Sequence, residues 1–427
     1  MRQFFDRYYN PLLLLLIAIA FFTRIYRVHI PEKYMFDEVY HVVTAKLIAH
    51  NDQRAYEWSA QSDEPNTAID WLHPPGAKLF QAGSMVLLGE TSFAWRLSSV
   101  IFGTLVILTT ARLALVLFSD KRLSLLAGFF AASDGLLLVQ SRIAMNDIHV
   151  TFFMLQTLLW YWVYRNKNMR KYFFIAVVMA GFAIASKWSG VFVIALVGIF
   201  ELAQWLKTKQ HKKLLQHGLL LLLVPIAIYL SSYGQMWLQG KSWSHFVELH
   251  KQIWAYQTSL TAIHPYQSTA LQWFFNSRPV WVSVAYDTGT RADIYAFGNP
   301  ALFFWGALAV GITTLFYLRS KTTPALLFLF ASYLIVWLPW AFSPRVMFFY
   351  HYTPAVPLLC IILAYWVLQL TKQKKKQQKI QLRVKLLLGS IIASVLLATI
   401  VWYPHWTQLP VSNEFADTVY FHFDTWR

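Results

Sequence analysis

Long apolar runs constrain the fold of this 427-residue chain more than any other feature. A helix crosses a bilayer with about 20 apolar residues, and we identify eleven runs of this kind. Charged residues make up only 13% of the chain, whereas soluble domains carry about 25%. The sequence therefore predicts an all-α polytopic membrane protein with about eleven transmembrane helices. The runs are centred near residues 19, 105, 132, 156, 179, 198, 225, 309, 332, 360 and 395.

Lysine and arginine are concentrated in alternate connections between these runs, beginning with the N-terminus. Such an excess marks the cytoplasmic side of a membrane protein. We therefore expect a cytoplasmic N-terminus and, with an odd number of spans, a C-terminus on the outer side. The same pattern accounts for the net charge of +17, so no nucleic-acid partner is expected. We interpret the basic run Lys372–Lys379 as a cytoplasmic connector beside the lipid bilayer.

Two of the predicted outer connections are long, at about residues 28–90 and 235–298. Loops of this length are usually functional or disordered. These two contain Trp, Tyr, His and paired charges in place of Ser, Gly and Pro repeats. We expect both to fold on the membrane surface, with amphipathic helices in the first. Residues 1–427 are then a single transmembrane domain with no separate soluble domain.

The chemically active side chains fall mostly near the predicted outer ends of the spans. Ionisable groups at membrane depth are unfavourable and mark functional sites. The sequence contains no Walker P-loop, dinucleotide fingerprint or HExxH zinc motif, so nothing in it points to ATP, NAD or zinc. The candidate residues are Asp37, Glu38, His73, Lys78, Arg96, Asp134, Arg142, Asp147, Lys187, Arg278, Arg345 and His351.

Asp37 and Glu38 are adjacent carboxylates that follow the first span. Val39, Val42 and Val43 have a helical spacing, which places the two acids at the start of a helix. Two interpretations remain open at this point. A carboxylate there can act as a general base towards a hydroxyl acceptor, and acidic residues also favour helix N-termini for electrostatic reasons alone.

Other candidates occupy turns and span ends. His73 and Lys78 flank a rigid Pro-Pro bend, which by itself indicates only a loop. Arg142 and Asp147 flank a short connection, where they either serve a ligand or close the turn with a salt bridge. Asp134 lies deeper, and a buried aspartate needs a partner.

Several cations share the predicted outer face, among them Arg96, Lys187 and Arg345. Arginine binds phosphate through two parallel hydrogen bonds. Each of these residues alone can also be explained as snorkelling to lipid headgroups. Taken as a set, they favour a phosphate or pyrophosphate ligand.

Eight motifs of the chain, in the same order and on the same side of the membrane, resemble the protein O-mannosyltransferase family. The resemblance extends from about Phe36 to Pro357 and is greatest to the bacterial members, which lack the large soluble lumenal domain of the fungal enzymes. The motifs are FDEVYH, HPPGAK, AWRLSSVIFG, SDGLLLVQSRIAMND, SKWSG, HPYQS with SRPVW, FGNP and RVMFFYHYTPAVP.

This resemblance implies the GT-C glycosyltransferase fold. It implies transfer of mannose from polyprenyl-phosphate-mannose to Ser or Thr hydroxyls of secreted proteins, with inversion at the anomeric carbon. Asp37 would act as the base or bind the acceptor hydroxyl, and Glu38 would help to position acceptor or donor. The residues implied for the donor phosphate are Arg96, Arg142, Lys187, Arg278 and Arg345. The supporting residues are His73, Lys78, Asp134, Asp147 and His351.

The chain departs from the family in two places. The second outer loop is too short for the β-trefoil domain of the fungal enzymes, so acceptor selection must use other surfaces. Asn146 stands where the resemblance leads us to expect an apolar residue. Both departures bear on the identity of the acceptor more than on the type of reaction.

Three other functions remain open. A related GT-C transferase would move a lipid-phosphate-linked sugar onto lipid A or another glycan. A transporter or flippase often shows internal repeats, and we find none. An inactive scaffold would have little reason to keep the whole set of acids and cations.

The expected partners are a polyprenyl-phosphate sugar donor, an extended Ser/Thr-containing acceptor polypeptide and the lipid bilayer, with the secretion machinery considered as a further one. The expected location is a bacterial inner membrane, with the active site on the outer face. No cofactor is expected beyond the lipid-linked donor, and the need for a divalent cation stays open.

Overall fold

The computed structural model describes residues 2–260, 262–319, 321–343, 345–371 and 378–427. Most of the basic run Lys372–Lys379, which we interpret as a cytoplasmic connector, lies outside the described residues.

The described residues form mainly α-helices, as the composition predicts. The helices are α1 (Arg2–Ile25), α2 (Glu38–Ala49), α3 (Gly76–Leu88), α4 (Ser92–Phe118), α5 (Lys121–Ala132), α6 (Gly135–Gln140), α7 (Asp147–Lys167), α8 (Arg170–Ser186), α9 (Val191–Thr208), α10 (His211–Ser232), α11 (Gly234–Leu238), α12 (Trp243–Ser259), α13 (Ala270–Phe274), α14 (Pro300–Leu318), α15 (Pro324–Trp337), α16 (Val356–Thr371), α17 (Gln378–Thr407) and α18 (Asn413–Phe415). The 3₁₀ segments are Gln53–Tyr56, Trp188–Gly190, Leu338–Phe342, Phe349–Ala355 and Asp424–Trp426, and a π-turn covers Ala416–Tyr420.

Eight helical segments among the described residues are long and apolar enough to cross a membrane, and each coincides with a predicted run. The runs centred near 132, 156 and 179 are also helical, as α5 with α6, α7 and α8, but they are shorter or less apolar. The count of eleven spans therefore stays a prediction. The eight segments are Gln3–Ile25, Ser92–Phe118, Trp188–Thr208, His211–Ser232, Pro300–Leu318, Pro324–Phe342, Phe349–Leu370 and Leu382–Thr407.

Local capping explains where several helices begin. Thr91 accepts a hydrogen bond from the Ala94 N–H and starts α4, and Asn299 does the same for α14 through Leu302. Asp134 accepts from the Leu137 N–H at 2.8 Å, so the predicted third span is divided into α5 and α6. These side chains satisfy N–H groups that the first helical turn leaves without partners.

The helices pack around one large apolar core, in which α7 contacts α4 and α8, and α16 contacts α5 and α14. Gly76, the first residue of α3, lies against the end of α8. A Cβ atom at this position would lie 2.5 Å from the carbonyl oxygen of Ala185, so only glycine allows this approach. The bend that contains His73 is thereby held close to Lys187, which follows α8.

The two long loops are folded. Residues 28–90 include α2 and α3, and residues 235–298 include α12, α13 and a β-hairpin of β1 (Val280–Asp287) and β2 (Thr290–Ala296). A short strand near the C-terminus, β3 (Val411–Ser412), pairs antiparallel with β2 and completes a three-stranded sheet. The helical class is confirmed, and the small sheet is an addition that the sequence reading lacked. The division of the chain into one transmembrane domain stays a prediction.

Candidate active site

A polar cavity of about 320 Å³ collects residues from six separated parts of the chain. Its walls come from the start of α2, the bend before α3, the turn between α6 and α7, Lys187 after α8, the end of α12 with Leu260, and the segment around 345–351. A second cavity of about 250 Å³ adjoins it and has a mainly apolar lining that includes Phe192, Trp254 and Trp340. The residues that line both cavities are Leu72, His73, Lys187, Arg345 and His351.

Asp37 lines the polar cavity from the N-cap position of α2. Its carboxylate makes no hydrogen bond and no ion pair with any described residue. Burial raises the pKa of Asp37 to about 6, and the nearby charges of His41 and Lys187 oppose this rise. A carboxylate with a pKa near neutrality and free lone pairs is suited to accept a proton.

Glu38 has the opposite environment although it is the next residue. It is fully buried, and its two carboxylate oxygens accept from Arg96 at 2.8 and 2.7 Å. They also accept from the backbone N–H groups of Met35 and Ala144. This carboxylate has no capacity left for a substrate, and its contacts instead fix the start of α2 against the α6–α7 turn.

Arg96 uses all of its guanidinium hydrogens inside the protein. Besides the two bonds to Glu38, it donates to the carbonyl oxygens of Val28, Pro31 and Lys33 at 2.8 to 3.0 Å. It lines neither cavity. An arginine offers five N–H donors, and this geometry favours a role in holding the loop before Asp37 over contact with a donor phosphate.

Arg142 and Arg278 likewise bind backbone oxygens away from both cavities. Arg142 donates to the carbonyls of Arg24 and Tyr26 at the end of α1. Arg278 donates to the carbonyl of Pro265 and to two carbonyls of the C-terminal segment. The structure thus gives the two arginines anchoring contacts, and their assignment to a donor phosphate stays a prediction.

Asp134 and Asp147 find partners other than Arg142. Asp134 accepts from the backbone N–H of Asn299, which joins α6 to α14. Asp147 forms an ion pair of 2.8 Å with Lys187, so the alternative of an Arg142–Asp147 salt bridge is not what the structure contains.

Lys187 and Arg345 are the two cations that the cavities share. Among the described residues, the Lys187 ammonium group donates one hydrogen bond, to Asp147. The other two of its three N–H donors therefore remain available. The hydrogen bond of Arg345 in the described chain is a long one of 3.4 Å from Nε to the carbonyl of Val346, so both Nη groups remain available. His351 lines the same junction and packs its ring against Trp340 and Trp273. The junction therefore combines positive charge with aromatic surface.

Asp70 and His41 are site residues that the sequence reading missed. Asp70 is buried, and its carboxylate lies 2.8 Å from His41 Nδ1, 3.0 Å from His73 Nδ1 and 2.9 Å from Lys78 Nζ. Burial alone would raise the pKa of Asp70, but Lys78, His73 and His41 together lower it well below its usual value. The available signal was its position three residues before His73, next to the Pro-Pro bend.

The cluster of His41, Asp70 and His73 also has metal-ligating atoms within 4.8 Å of one another. The ammonium group of Lys78 already binds Asp70 and is almost fully buried. A divalent cation on the same carboxylate would meet this charge at close range in a medium of low polarity. The donor set therefore fits a lysine-neutralised carboxylate better than a metal centre.

Comparisons with known proteins give concordant matches over nearly the whole chain. Residues 14–235 match the family model described as "Dolichyl-phosphate-mannose-protein mannosyltransferase". Residues 242–418 match the model "C-terminal four TMM region of protein-O-mannosyltransferase". Together the two matches cover the first long loop, all of the second except residues 236–241, and every residue that lines the two cavities.

Curated relatives carry the name polyprenol-phosphate-mannose–protein mannosyltransferase. The protein of Corynebacterium glutamicum is 27% identical over 369 residues, with 69% of this chain and 69% of the relative covered. The protein of Mycolicibacterium smegmatis is 24% identical, with 77% of this chain and 75% of the relative covered.

Solved structures show the same fold at low sequence identity. The S. cerevisiae protein O-mannosyltransferase Pmt1–Pmt2 complex, bound to its sugar donor, superposes with a TM-score of 0.80 at 13% identity, covering 96% of this chain and 91% of that chain. ArnT from Cupriavidus metallidurans in the apo state gives a TM-score of 0.61 at 14% identity, covering 93% and 76%.

Proposed function

Because the chain belongs to the dolichyl-phosphate-mannose-protein mannosyltransferase family, we propose that it transfers mannose from polyprenyl-phosphate-mannose to Ser and Thr hydroxyls of secreted proteins. The protein is a glycosyltransferase of the GT-C fold and an integral membrane protein. One observation carries the assignment of the site: the unpaired carboxylate of Asp37 shares a cavity with the cations Lys187 and Arg345.

Asp37 is the general base of the proposed reaction. The acceptor hydroxyl oxygen attacks the anomeric carbon while its proton moves to the carboxylate of Asp37. The bond between the anomeric carbon and the phosphate oxygen breaks, and its electron pair leaves with the polyprenyl phosphate. A single displacement of this kind inverts the configuration. With a pKa of about 6, Asp37 is mostly ionised at pH 7 and still basic enough to take the proton.

Lys187 and Arg345 bind the donor phosphate in this scheme. Fixed cations stabilise the negative charge that grows on the departing phosphate, so a second acidic residue to protonate the leaving group is not required. Both residues line both cavities. A phosphate at this junction directs the sugar towards Asp37 and the lipid chain towards the apolar cavity lined by Phe192, Trp254 and Trp340.

The remaining candidates act through position. Glu38 and Arg96 fix the start of α2, and with it Asp37. His73 and Lys78 belong to the Asp70 cluster, and Asp147 orients Lys187. Arg142 and Arg278 hold the end of α1 and the C-terminal segment.

A lipid A or glycan acceptor is the second candidate. The fold alone does not decide between acceptors, because it is shared by solved proteins of different names, the Pmt1–Pmt2 complex and ArnT. Two family models named for protein mannosylation cover the chain, and they favour a protein acceptor.

We place the cavity on the outer face of a bacterial inner membrane, with the N-terminus in the cytoplasm. Arg165, Arg170, Lys212 and Lys213 support this orientation, because they lie at the ends of α7, α8 and α10 that are remote from the cavity, and basic residues favour the cytoplasmic side. An extended polypeptide emerging from the secretion machinery would then reach the cavity from outside.

The test is a transfer assay in liposomes with polyprenyl-phosphate-[³H]mannose and a Ser/Thr-rich peptide. We expect label on the peptide with wild type, and a loss of about 10²- to 10⁴-fold in Asp37→Asn, which removes the base. The matched control is Asp287→Asn, because this aspartate is exposed at the end of β1; it should keep full activity. Label that reaches only a lipid or glycan acceptor would favour the second candidate function. Full activity of Asp37→Asn would exclude Asp37 as the base.

A further inference from the structure

Asn146 is a buried side chain whose hydrogen-bonding groups have no partner in the described protein. Its exposed fraction is 1%. Neither its Oδ1 nor its Nδ2 contacts a donor or acceptor among the described residues. The residue lines the polar cavity together with Asp37 and Lys187. An unpartnered buried amide is unfavourable, and in native proteins such a group calls for an explanation.

Local structure does not supply that explanation. Asn146 occupies the N-cap position of α7, where asparagine usually accepts a hydrogen bond from an N–H of the first turn. Here its φ and ψ are −81° and −20°, and the side chain makes no capping bond. The residue instead lines the polar cavity. The cap position alone therefore does not account for an asparagine at 146.

Two other buried asparagines show what a structural role looks like in this protein. Asn276 bonds both the N–H and the carbonyl of Gly298. Asn299 caps α14 and donates to the carbonyls of Ser133 and Val395. Both are fully used by the fold, whereas Asn146 is not. This contrast assigns Asn146 to a ligand.

The position of Asn146 in the cavity favours the sugar of the donor as its ligand. The next residue, Asp147, holds Lys187 at 2.8 Å, and Lys187 belongs to the proposed phosphate end of the cavity. Asp37, at the proposed acceptor end, lines the same cavity as Asn146. The group that lies between a donor phosphate and an attacking hydroxyl is the hexose, whose hydroxyls both donate and accept. A side-chain amide offers one acceptor and two donors, which matches neighbouring hydroxyls.

We propose that Asn146 hydrogen-bonds hydroxyl groups of the transferred hexose and so contributes to the choice of sugar. This inference rests on the proposed function. It concerns this chain in particular, because the resemblance leads us to expect an apolar residue at 146.

The test compares Asn146→Leu and Asn146→Ala with wild type in the liposome assay. We expect kcat/KM for polyprenyl-phosphate-mannose to fall about 10- to 100-fold, with an unchanged KM for the peptide. The matched control Asn10→Leu makes the same change on the exposed surface of α1, and its kcat/KM should stay within twofold of wild type. Because no protein partner is lost, Asn146→Leu should melt at or above the wild-type temperature.

A panel of deoxy-mannosyl donors identifies the contact. Wild type should discriminate against the donor that lacks the contacted hydroxyl, and Asn146→Leu should lose that discrimination. Donor-dependent thermal stabilisation gives a readout independent of turnover, and it should shrink in both variants.

Unchanged donor kinetics in both variants would overturn the proposal. A rise in peptide KM with normal donor kinetics would overturn it too and would assign Asn146 to the acceptor. If wild type transfers no mannose at all, the proposed function fails first, and donor-dependent thermal stabilisation of wild type and Asn146→Leu by polyprenyl-phosphate-mannose still decides whether Asn146 contacts the sugar.

Discussion

Two clusters of ionisable side chains lie at opposite ends of α7 and α8, and they differ in how much of their hydrogen-bonding capacity is used. The first is the polar cavity where α7 begins. The second, which we call the inner cluster, consists of Tyr161, Arg165, Glu201 and His217 near the end of α7. Tyr161 and Arg165 follow Asp147, the first residue of α7, by 14 and 18 residues, which separates the two clusters by about 20 to 27 Å.

The inner cluster is closed on itself. Glu201 accepts from Tyr161 at 2.8 Å and pairs with His217 at 2.6 Å. Arg165 donates to the Tyr161 hydroxyl and to Gln204. In the polar cavity, by contrast, Asp37 and Asn146 have no hydrogen-bond partner among the described residues. Both clusters contain buried ionisable groups, so what separates the polar cavity from the inner cluster is its unused hydrogen-bonding capacity.

The same contrast separates Asp37 from Glu38. The two acids are neighbours in sequence, yet one faces the cavity unpaired and the other is held by Arg96 and two backbone N–H groups. Adjacent carboxylates are therefore weak indicators of a shared role. Their environments decide which one takes part in chemistry.

The largest effect that tests this comparison is expected in the inner cluster. Glu201→Ala leaves His217 and Tyr161 without their partner, and removing one member of a buried pair costs about 3–5 kcal/mol. The free energy of unfolding in detergent should fall by that amount, while transfer per folded molecule stays constant. The control Glu414→Ala changes an exposed glutamate and should alter neither quantity. A tenfold loss of transfer at normal stability would show that the inner cluster has a functional role.

A smaller effect is expected at the junction of the two cavities. Arg345→Ala removes a cation with free Nη groups, and kcat/KM for the donor should fall about 10²-fold because the departing phosphate loses stabilisation. Arg278→Ala is the matched control, since among the described residues this arginine hydrogen-bonds backbone oxygens and lines neither cavity, and its kcat/KM should change less than twofold. Equal losses in both variants would contradict the geometric distinction between them.

The smallest effect concerns pH. Burial raises the pKa of Asp37 to about 6, and the base works only when it is deprotonated. Log kcat/KM should be flat above pH 7 and should fall with a slope of one below pH 6. The residual activity of Asp37→Asn should not show this fall below pH 6. A fall that persists in the variant would assign it to another group.

The positions of the membrane helices were accessible from the sequence, because apolar runs are a local property. All eleven runs coincide with helices. The run centred near residue 132 is divided into α5 and α6 at Ser133 and Asp134, because Asp134 caps the start of α6. The sequence also contains a signal for the β-hairpin that the prediction did not use. Apolar and polar residues alternate on both sides of Asp287–Thr288–Gly289, whose composition is typical of a turn. Gly289 adopts a φ of +74° there.

The roles of single cations were not accessible in this way. Arg96, Arg142 and Arg345 look alike in sequence, and their partners decide their roles. Glu38 is 58 residues from Arg96, and Arg142 reaches carbonyls more than 110 residues away. Such pairings depend on how the helices pack, which periodicity does not encode. Asp70 is a different case, because His73 and Lys78 follow it within eight residues and only His41 lies further away in the chain.

The contacts of Arg96 have a consequence for how this protein can evolve. Apart from Glu38, Arg96 binds only backbone carbonyls, which every amino acid possesses. Side chains at positions such as 31 and 33 are thus free to drift among relatives without moving the base. Glu38 and Arg96 should change only together, if they change at all. In an alignment of relatives, the loop before Glu38 should therefore vary, whereas Glu38 and Arg96 should be kept as a pair.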